Sequence, residues 1–592
     1  MKRPMTYSIL FSSHRLLKVL EYAVVALVIL ALIYPGIGKR WFGSIERRFR
    51  QIAQRRWKSV LLSAAFPLIV RFLMLPWYPP PPPQIHDEFS YLLQADTFAH
   101  GRVANPTPPF WEHFETEYTL LTPNYASQYQ PAQGLVQAAG QVLLRHPWWG
   151  VFFSVGLMCG ALCWALRYVM PPVWALAGAL GAALQFGIFG LWMNSYFGGA
   201  VSATAGALVF GAIMRMRRPE NAASSAVLAA AGVILLFATR PFEALLWMGV
   251  FLCSLLWQKK AFTGLVIRRI APAFVVVFVT GACALAWYNW RVTGKPLVPP
   301  YLEYRQVYGT PQPYWWQGPI RVTDFRHEEL RNNYKNQERL YDMRSDAGAV
   351  LNAERLRLAH FWKFFVGPFL SPALAFLLFL RRDKRLRFWL LACIPFILDK
   401  VTYHAWYPAH SGPATILIVL VLVQCWRHMR TWQRHRGTGI ALSRLMVAGL
   451  CLTIVLGNAG RAAEPLLPER RRAHLAPLWE SMYPARRLRE DVIARLEKIP
   501  GSHLVFVKYA PGHCFCEEWV FNTADLQSQR IVFARVYTPE SNVALANYLG
   551  KQNTWIIEPD LQPYLLARLD ASNLAALTER DSGATGLSSQ RN

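Results

Sequence analysis

Apolar residues in this chain come in runs, separated by short polar links. Twelve runs stand out, at about 17–34, 59–78, 149–170, 172–191, 199–215, 224–239, 242–257, 270–289, 362–380, 387–403, 411–426 and 440–458. Each is close to the roughly 17–25 residues an α-helix needs to cross a hydrocarbon core. Inside that core only helices and closed barrels satisfy their own backbone. The pattern predicts a polytopic α-helical membrane protein with about 12 transmembrane helices. After the last run the period changes. "HLVFVKY", "RIVFARV" and "NTWIIEP" read as buried strands, with a helical pattern at about 539–549 between the last two. That predicts a small C-terminal α/β soluble domain behind the linker-like "AGRAAEPLLPERRRA" at 459–473.

Charge gives the runs an orientation. Lys and Arg number 63 against 35 Asp and Glu, a net +28. In a soluble chain that balance would point to nucleic acid. Here the cations crowd alternate short links: "GKRWFGSIERRFRQIAQRRWK", "RMRRPE", "RRDKRLR" and "RHMRTWQRHR". The links at 191–199 and 404–412 hold no Lys or Arg. Basic links belong in the cytoplasm, so no nucleic-acid partner is expected, and the other links face outward. The predicted organisation is residues 1–78 with two helices and a basic cytoplasmic loop, 79–148 as a first outer loop, 149–458 as a bundle with a second outer loop at 290–360, and 459–592 as the outward tail. Lys2, Arg3, Arg15 and Lys18 precede the first run, which leaves its orientation open.

Composition adds little to this. Of nine cysteines, seven lie in apolar runs and only Cys514 and Cys516 in a polar stretch, so no disulfide framework is implied. No cleavable signal peptide is evident. The sequence has no Asn-x-Ser/Thr acceptor, which favours a bacterial source and a bacterial cytoplasmic membrane as the location.

The candidate chemistry sits where the chain leaves the second run, in "WYPPPPPQIHDEFSYLLQADTFAHGR" at 77–102. Five prolines favour a stiff polyproline II segment. "DEFSYLLQADTFAHG" then reads as a helix, with Ser90, Gln94 and Thr97 on one side, Phe89, Leu92, Leu93 and Ala99 on another, and Gly101 as its stop. It is too short and polar to span and is expected along the outer membrane surface. Two readings of the carboxylates stand side by side. Asp87 caps the helix and Glu88 is an anion in its first turn. Or desolvation at the lipid boundary raises a carboxylate toward the range of a general base.

This carboxylate-bearing first loop resembles that of the GT-C fold polytopic glycosyltransferases, which include protein O-mannosyltransferases, the aminoarabinose transferase of lipid A and the RgtA/B/C/D-like enzymes. "SQYQPAQGLVQAAG" at 127–140 is similar to that family's second surface helix. "ATRPFEALLWM" at 238–248, "WYNWRVTGKPLVPPY" at 287–301 and "YHAWYPAHSGPA" at 403–414 resemble its later outer-boundary elements. The resemblance implies a transferase that takes a sugar from a polyprenyl-phosphate donor on the outer face and passes it to a lipid, glycan or protein acceptor. It implies that Asp87, with Glu88 beside it, binds and deprotonates the acceptor. The candidates for binding donor and phosphate are Arg240, Arg291, Lys295, His404, Tyr288 and Asn289, with Glu243 as a partner for Arg240. Lys and Arg at span ends also simply snorkel to the interface. Direct displacement would invert the anomeric centre, by analogy with single-displacement glycosidases.

No cofactor is implied. Glu112, His113, Glu115 and Glu117 in "WEHFETEY" suit a solvated loop face better than a metal site. His513, Cys514 and Cys516 lack a second ligand pair. No metal is assigned, and a divalent ion stays open. Two other classes compete. A lipid or glycan transporter or flippase would carry ionisable groups near the bilayer midplane, where the runs are apolar; Asp399 and Lys400 lie near one end of theirs. A non-catalytic polysaccharide assembly factor would not need Asp87 and Glu88 together.

Overall fold

Each of the twelve apolar runs contains helix in the structure, a computed structural model that describes residues 14–257, 264–309, 324–403, 407–432, 437–463, 488–511 and 517–578, with single positions between them. Among the described residues five helical segments are long and apolar enough to cross a membrane: Trp148–Leu166, Pro219–Phe237, Arg268–Thr293, His410–Thr431 and Thr438–Ala459. Pro172–Gly187, Gly199–Arg215 and Pro241–Trp257 are shorter apolar helices. Buried side chains of these helices and of the segments between them form one large core, with Trp148, Trp192, Trp247, Trp389 and Phe210 fully enclosed.

One predicted span is corrected. Residues 362–380 are not one helix: a wide turn at Trp362–Val366 leads to Gly367–Leu374 and then to a tight helical segment, Leu377–Arg382. Gly367 takes φ +61°, where a side chain would be strained and a Cβ would lie 2.7 Å from the Gln185 amide. Pro368 follows it and Pro372 lies within the next helix, so the backbone ladder is interrupted.

The proline segment is fastened at its root. Arg71, fully buried near the end of the helix Arg56–Leu73, donates to the carbonyls of Tyr78 (2.6 Å) and Pro79 (3.0 Å) and to Asn194 Oδ1 (3.1 Å). Its guanidinium lies 4.2 Å from the Tyr78 ring and 4.8 Å from that of Trp148. Tyr196 donates to the Pro81 carbonyl at 3.0 Å. Prolines offer carbonyls and no N–H, so these donors fix where the segment starts. Arg71→Met strands the buried Tyr78 and Asn194 acceptors and frees the Pro79 carbonyl, and an unsatisfied buried group costs about 1–3 kcal/mol. A destabilisation of about 3 kcal/mol or more is expected in thermal unfolding of the detergent-purified protein.

The first outer loop folds as the helix His86–Ala99, a three-stranded antiparallel sheet and the helix Pro131–Leu144. The strands are β1 (Asn105–Pro106), β2 (Thr119–Leu120) and β3 (Asn124–Ser127), in the order β1-β3-β2. The two helices pack closely because Gly134 leaves room for Gln94, whose side chain would meet a Cβ there at 2.4 Å. Gly101 ends the first helix with φ +70°.

The tail carries the predicted strands: β4 (His503–Val507), β5 (Ile531–Arg535) and β6 (Asn553–Glu558), with the helix Pro539–Leu549 between the last two. A fourth strand, β7 (Leu565–Arg568), was not foreseen. The order is β5-β4-β6-β7, with β4 parallel to both neighbours. Every β4 residue is buried, as befits a central parallel strand covered on both faces. One face packs on Val492 and Leu496 of the helix Leu488–Glu497. The other, through Leu504, Phe506, Val532 and Ile556, shares a core with Leu93, Phe114, Leu121 and Tyr125 of the first outer loop. The tail therefore does not close its core alone.

Candidate active site

Glu88, not Asp87, ties down the start of the helix. The N-cap is Ile85, in extended conformation, so Asp87 falls at the second helical position and Glu88 at the third. A third-position Glu reaches back to the N–H groups ahead of the helix. Glu88 Oε2 accepts from Gln84 N (2.8 Å) and Ile85 N (3.4 Å), and Oε1 accepts from Tyr196 N (3.0 Å). This corrects the expectation that Asp87 caps. The helix begins two residues earlier than an Asp87 cap would place it, which leaves the Asp87 side chain free to turn elsewhere.

It turns to a cluster of tyrosines. The Tyr129 hydroxyl donates to Asp87 Oδ1. Tyr129 stacks on Tyr91 with centroids 4.2 Å apart, and its backbone carbonyl accepts from Gln94 (2.8 Å) and the Tyr288 hydroxyl (2.9 Å). Asp87 is only half-buried and keeps access to solvent. Burial lifts its carboxyl above the ordinary range; the Tyr129 hydroxyl, then the His86 and Arg240 charges, oppose that rise without cancelling it. Burial pushes Glu88 up to about 7.

Arg240 faces this group from the turn between Ala222–Phe237 and Pro241–Trp257. It is half-buried, and it feels Tyr91, Glu243, Tyr403 and Tyr129 electrostatically. Among the described residues its guanidinium has no hydrogen-bond or ion-pair partner. The expected partner is corrected: Glu243 is engaged by Lys400 at 2.8 Å, and Lys400 also meets Asp399 at 2.6 Å. Glu243 belongs to the first turn of a helix packed on Arg387–Thr402, so it meets the end of that helix. Arg240, just before that helix, feels Tyr91 more strongly than Glu243.

Of the other sequence candidates, Arg291 and Lys295 make no contact with Asp87, Tyr129 or Arg240 among the described residues. Arg291 is exposed at the end of the helix Gly264–Thr293. Lys295 is exposed and pairs with Glu303 at 3.1 Å. Tyr288 holds Tyr129 and Gln94, and Asn289 donates to the Pro296 carbonyl at 3.2 Å, shaping the following turn. His404 lies outside the described residues. Sequence reading missed Tyr129, although it stands in the quoted "SQYQP" next to the second loop helix. It also missed Arg305, whose charge bears on Tyr403 beside Arg240.

"WEHFETEY" is not a solvated face. His113 is fully buried, with Nδ1 2.8 Å from the Arg535 carbonyl and Nε2 2.7 Å from Ser541 Oγ. Glu115 meets Arg326 at 3.3 Å, and Glu117 lies 3.8 Å from His86. The tail's sheet covers this segment, which is why its charges are inside. Among the described residues no three His, Cys, Asp or Glu side chains are grouped as metal ligands. His513 pairs with Asp560 at 2.9 Å, and Cys514 and Cys516 lie outside the described residues.

Glu117 gives a pH signature. Burial pushes it up to about 7 from an ordinary 4.5, with His86 opposing. A carboxyl raised on folding favours the fold fully below its unfolded value, and that contribution is lost as pH rises through the folded value. Gln stays neutral throughout. Glu117→Gln is therefore expected to melt above the native chain at pH 8 and to lose that advantage by pH 5, as measured by scanning fluorimetry. A gap that does not widen between those pH values would show Glu117 ionised and well paired.

Solved structures resemble the chain along most of its length. ArnT from Cupriavidus metallidurans bound to undecaprenyl phosphate aligns at a TM-score of 0.43 and 12% identity, over 84% of this chain and 92% of that one. The same protein in the apo state gives 0.46 and 14%, over 87% and 98%. The archaeal oligosaccharyltransferase AglB from Archaeoglobus fulgidus, in complex with an inhibitory peptide and a dolichol-phosphate, gives 0.44 and 10%, over 85% and 69%. These are loose overall likenesses. No family model and no curated protein matches the sequence.

Proposed function

We propose that the chain is a polytopic glycosyltransferase of a bacterial cytoplasmic membrane that moves a sugar from a polyprenyl-phosphate donor to an envelope acceptor on the outer face. The observation that carries this reading is one juxtaposition: a half-exposed carboxylate, raised above its usual range and held by the Tyr129 hydroxyl, shares a tyrosine-lined site with a guanidinium that has no hydrogen-bond or ion-pair partner among the described residues. A base and an unpaired cation are what displacement of a phosphate by a hydroxyl requires.

In this reading the acceptor hydroxyl attacks the anomeric carbon and its proton passes to Asp87. The bond between that carbon and the phosphate oxygen breaks, and the electron pair leaves as polyprenyl phosphate, whose charge Arg240 receives. Tyr129 holds one Asp87 oxygen and leaves the other for the proton. One displacement inverts the anomeric centre. Glu243, Lys400 and Asp399 satisfy one another instead of lining a vacant ion path, which gives the transporter reading no specific support.

The test uses full-length protein in nanodiscs, a panel of synthetic undecaprenyl-phosphate monosaccharides and an envelope extract as acceptor source. Mass spectrometry follows release of undecaprenyl phosphate and appearance of a glycosylated product. Consumption of one donor that depends on the extract is expected. If the donors stay intact but cross proteoliposome bilayers, the chain is a flippase; if neither occurs, the enzymatic reading fails.

A further inference from the structure

The tail reaches the residue next to Asp87. Glu518, between β4 and β5, is buried with its Oε2 3.4 Å from His86 Nε2. The other ring nitrogen of His86 lies 3.8 Å from Glu117 Oε2, and the ring stands edge-on to Tyr118 at 6.1 Å. The ionised Glu518 oxygen calls for a proton on Nε2, and whenever Glu117 is ionised as well both ring nitrogens are matched only if both are protonated.

Glu518 is held by four donors besides His86. Its Oε2 also accepts from Thr116 Oγ1 (2.7 Å) and Arg535 Nη2 (3.1 Å). Its Oε1 accepts from the Tyr509 hydroxyl (2.8 Å) and Val520 N (2.7 Å). Arg535 is braced in turn by the Glu115 carbonyl (2.6 Å) and by Glu329 (3.2 Å). Burial works against its charge, but Arg535, His86 and these donors hold the Glu518 carboxyl well below the usual range. Of the two acids facing His86, Glu518 is thus the one that stays ionised. Removing one partner of such a buried pair leaves an uncompensated charge.

We propose that Glu518 is a positioning residue for the carboxylate site: it fixes the His86 imidazolium on the first turn of the 86–99 helix, and through that charge it readies Asp87 as the base, so the tail domain completes the site. The proposal rests on the reading of Asp87 given above. His86 faces Glu117, Glu518, Asp87 and the Tyr118 ring. Asp87 faces His86, Arg240 and the Tyr129 hydroxyl, with Glu88 and Glu117 as nearby acids and Tyr91, Tyr118 and Tyr304 around it. Burial alone would lower His86; the Glu117 and Glu518 charges overturn that and hold it raised. With Glu518 neutral, His86 gives up its proton at lower pH. Asp87 then loses a neighbouring cation and needs a higher pH to ionise.

The experiment is the pH profile of kcat/KM for the full chain, using the undecaprenyl-phosphate sugar that the donor panel identifies. In Glu518→Gln the acid limb is expected to move up by about one pH unit, with the plateau rate at high pH largely kept. His86→Asn should move it the same way, and the double variant no further than His86→Asn alone. Asp560→Asn, which breaks the His513 pair elsewhere in the tail, should leave the limb in place. An unmoved limb in Glu518→Gln, or an equal loss at every pH, overturns the proposal. Full turnover in Asp87→Asn would instead overturn the role of Asp87 itself. Should Glu518→Gln fail to fold, nitrogen NMR of the native chain with labelled histidine decides: His86, assigned by its loss in His86→Asn, must be doubly protonated at pH 7.5, and a neutral ring there sinks the idea.

Discussion

Asp87→Asn is expected to cut sugar transfer about 10²-fold or more, the scale of a lost general base, while expression and melting temperature stay close to those of the native chain. The two halves of this expectation have separate causes. Asn keeps the shape of Asp, and its Oδ1 still accepts from Tyr129. The helix start is secured by Ile85 and by Glu88, with its bonds to Gln84 and Tyr196. Only the ability to take a proton disappears. Glu88→Gln should behave in the opposite way. An amide offers one acceptor oxygen where the carboxylate serves three N–H groups, so stability falls and loss of activity follows from it. Undecaprenyl-phosphate release per folded molecule, with folding checked by size-exclusion and melting, separates the two. An Asp87→Asn protein with native turnover would end the assignment of the base.

Arg240→Gln should weaken binding of undecaprenyl phosphate about 10- to 100-fold, as expected for one charge-assisted contact of about 1.5–3 kcal/mol, and lower transfer further. A cation matters more as charge develops on the leaving phosphate than in the bound product. Stability should barely change, because the Arg240 guanidinium has no hydrogen-bond or ion-pair partner among the described residues. Lys400→Met is the contrast: it would strand Glu243 and Asp399 together. Arg291→Gln and Lys295→Gln, both at exposed positions, should leave affinity within about threefold, since exposed ion pairs are worth about 0–1 kcal/mol. Native mass spectrometry with undecaprenyl phosphate measures all four. Native affinity in Arg240→Gln would place the phosphate elsewhere.

The sequence by itself determined the elements. Apolar runs near bilayer length became helices, because a backbone without water must bond to itself. "HLVFVKY", "RIVFARV" and "NTWIIEP" became β4, β5 and β6, and the intervening helix has Thr538 as its cap and Gly550 at its end. The helix after the proline segment, with its Gly101 stop, was legible for the same reason. Periodicity, caps and breakers act over a few residues, so a linear reading captures them. Gly367 and Pro372 were visible too, yet a hydropathy run hides the broken ladder they cause.

Partner choice was decided only by the tertiary structure. His113 meets the Arg535 carbonyl across 422 residues of chain, and Thr116 meets Glu518 across 402. No local pattern marks "WEHFETEY" as buried, because its charges are neutralised by a sheet that arrives from the tail. Glu243 stands beside Arg240 in sequence but bonds to Lys400, since the packing of two helices sets which charged ends meet. Electrostatic pairing depends on distance and dielectric in space, and neither is written in the order of the residues. Thus the sequence could name Asp87, while only the fold could show it free of capping, bound by Tyr129, and under the charges of His86 and Arg240.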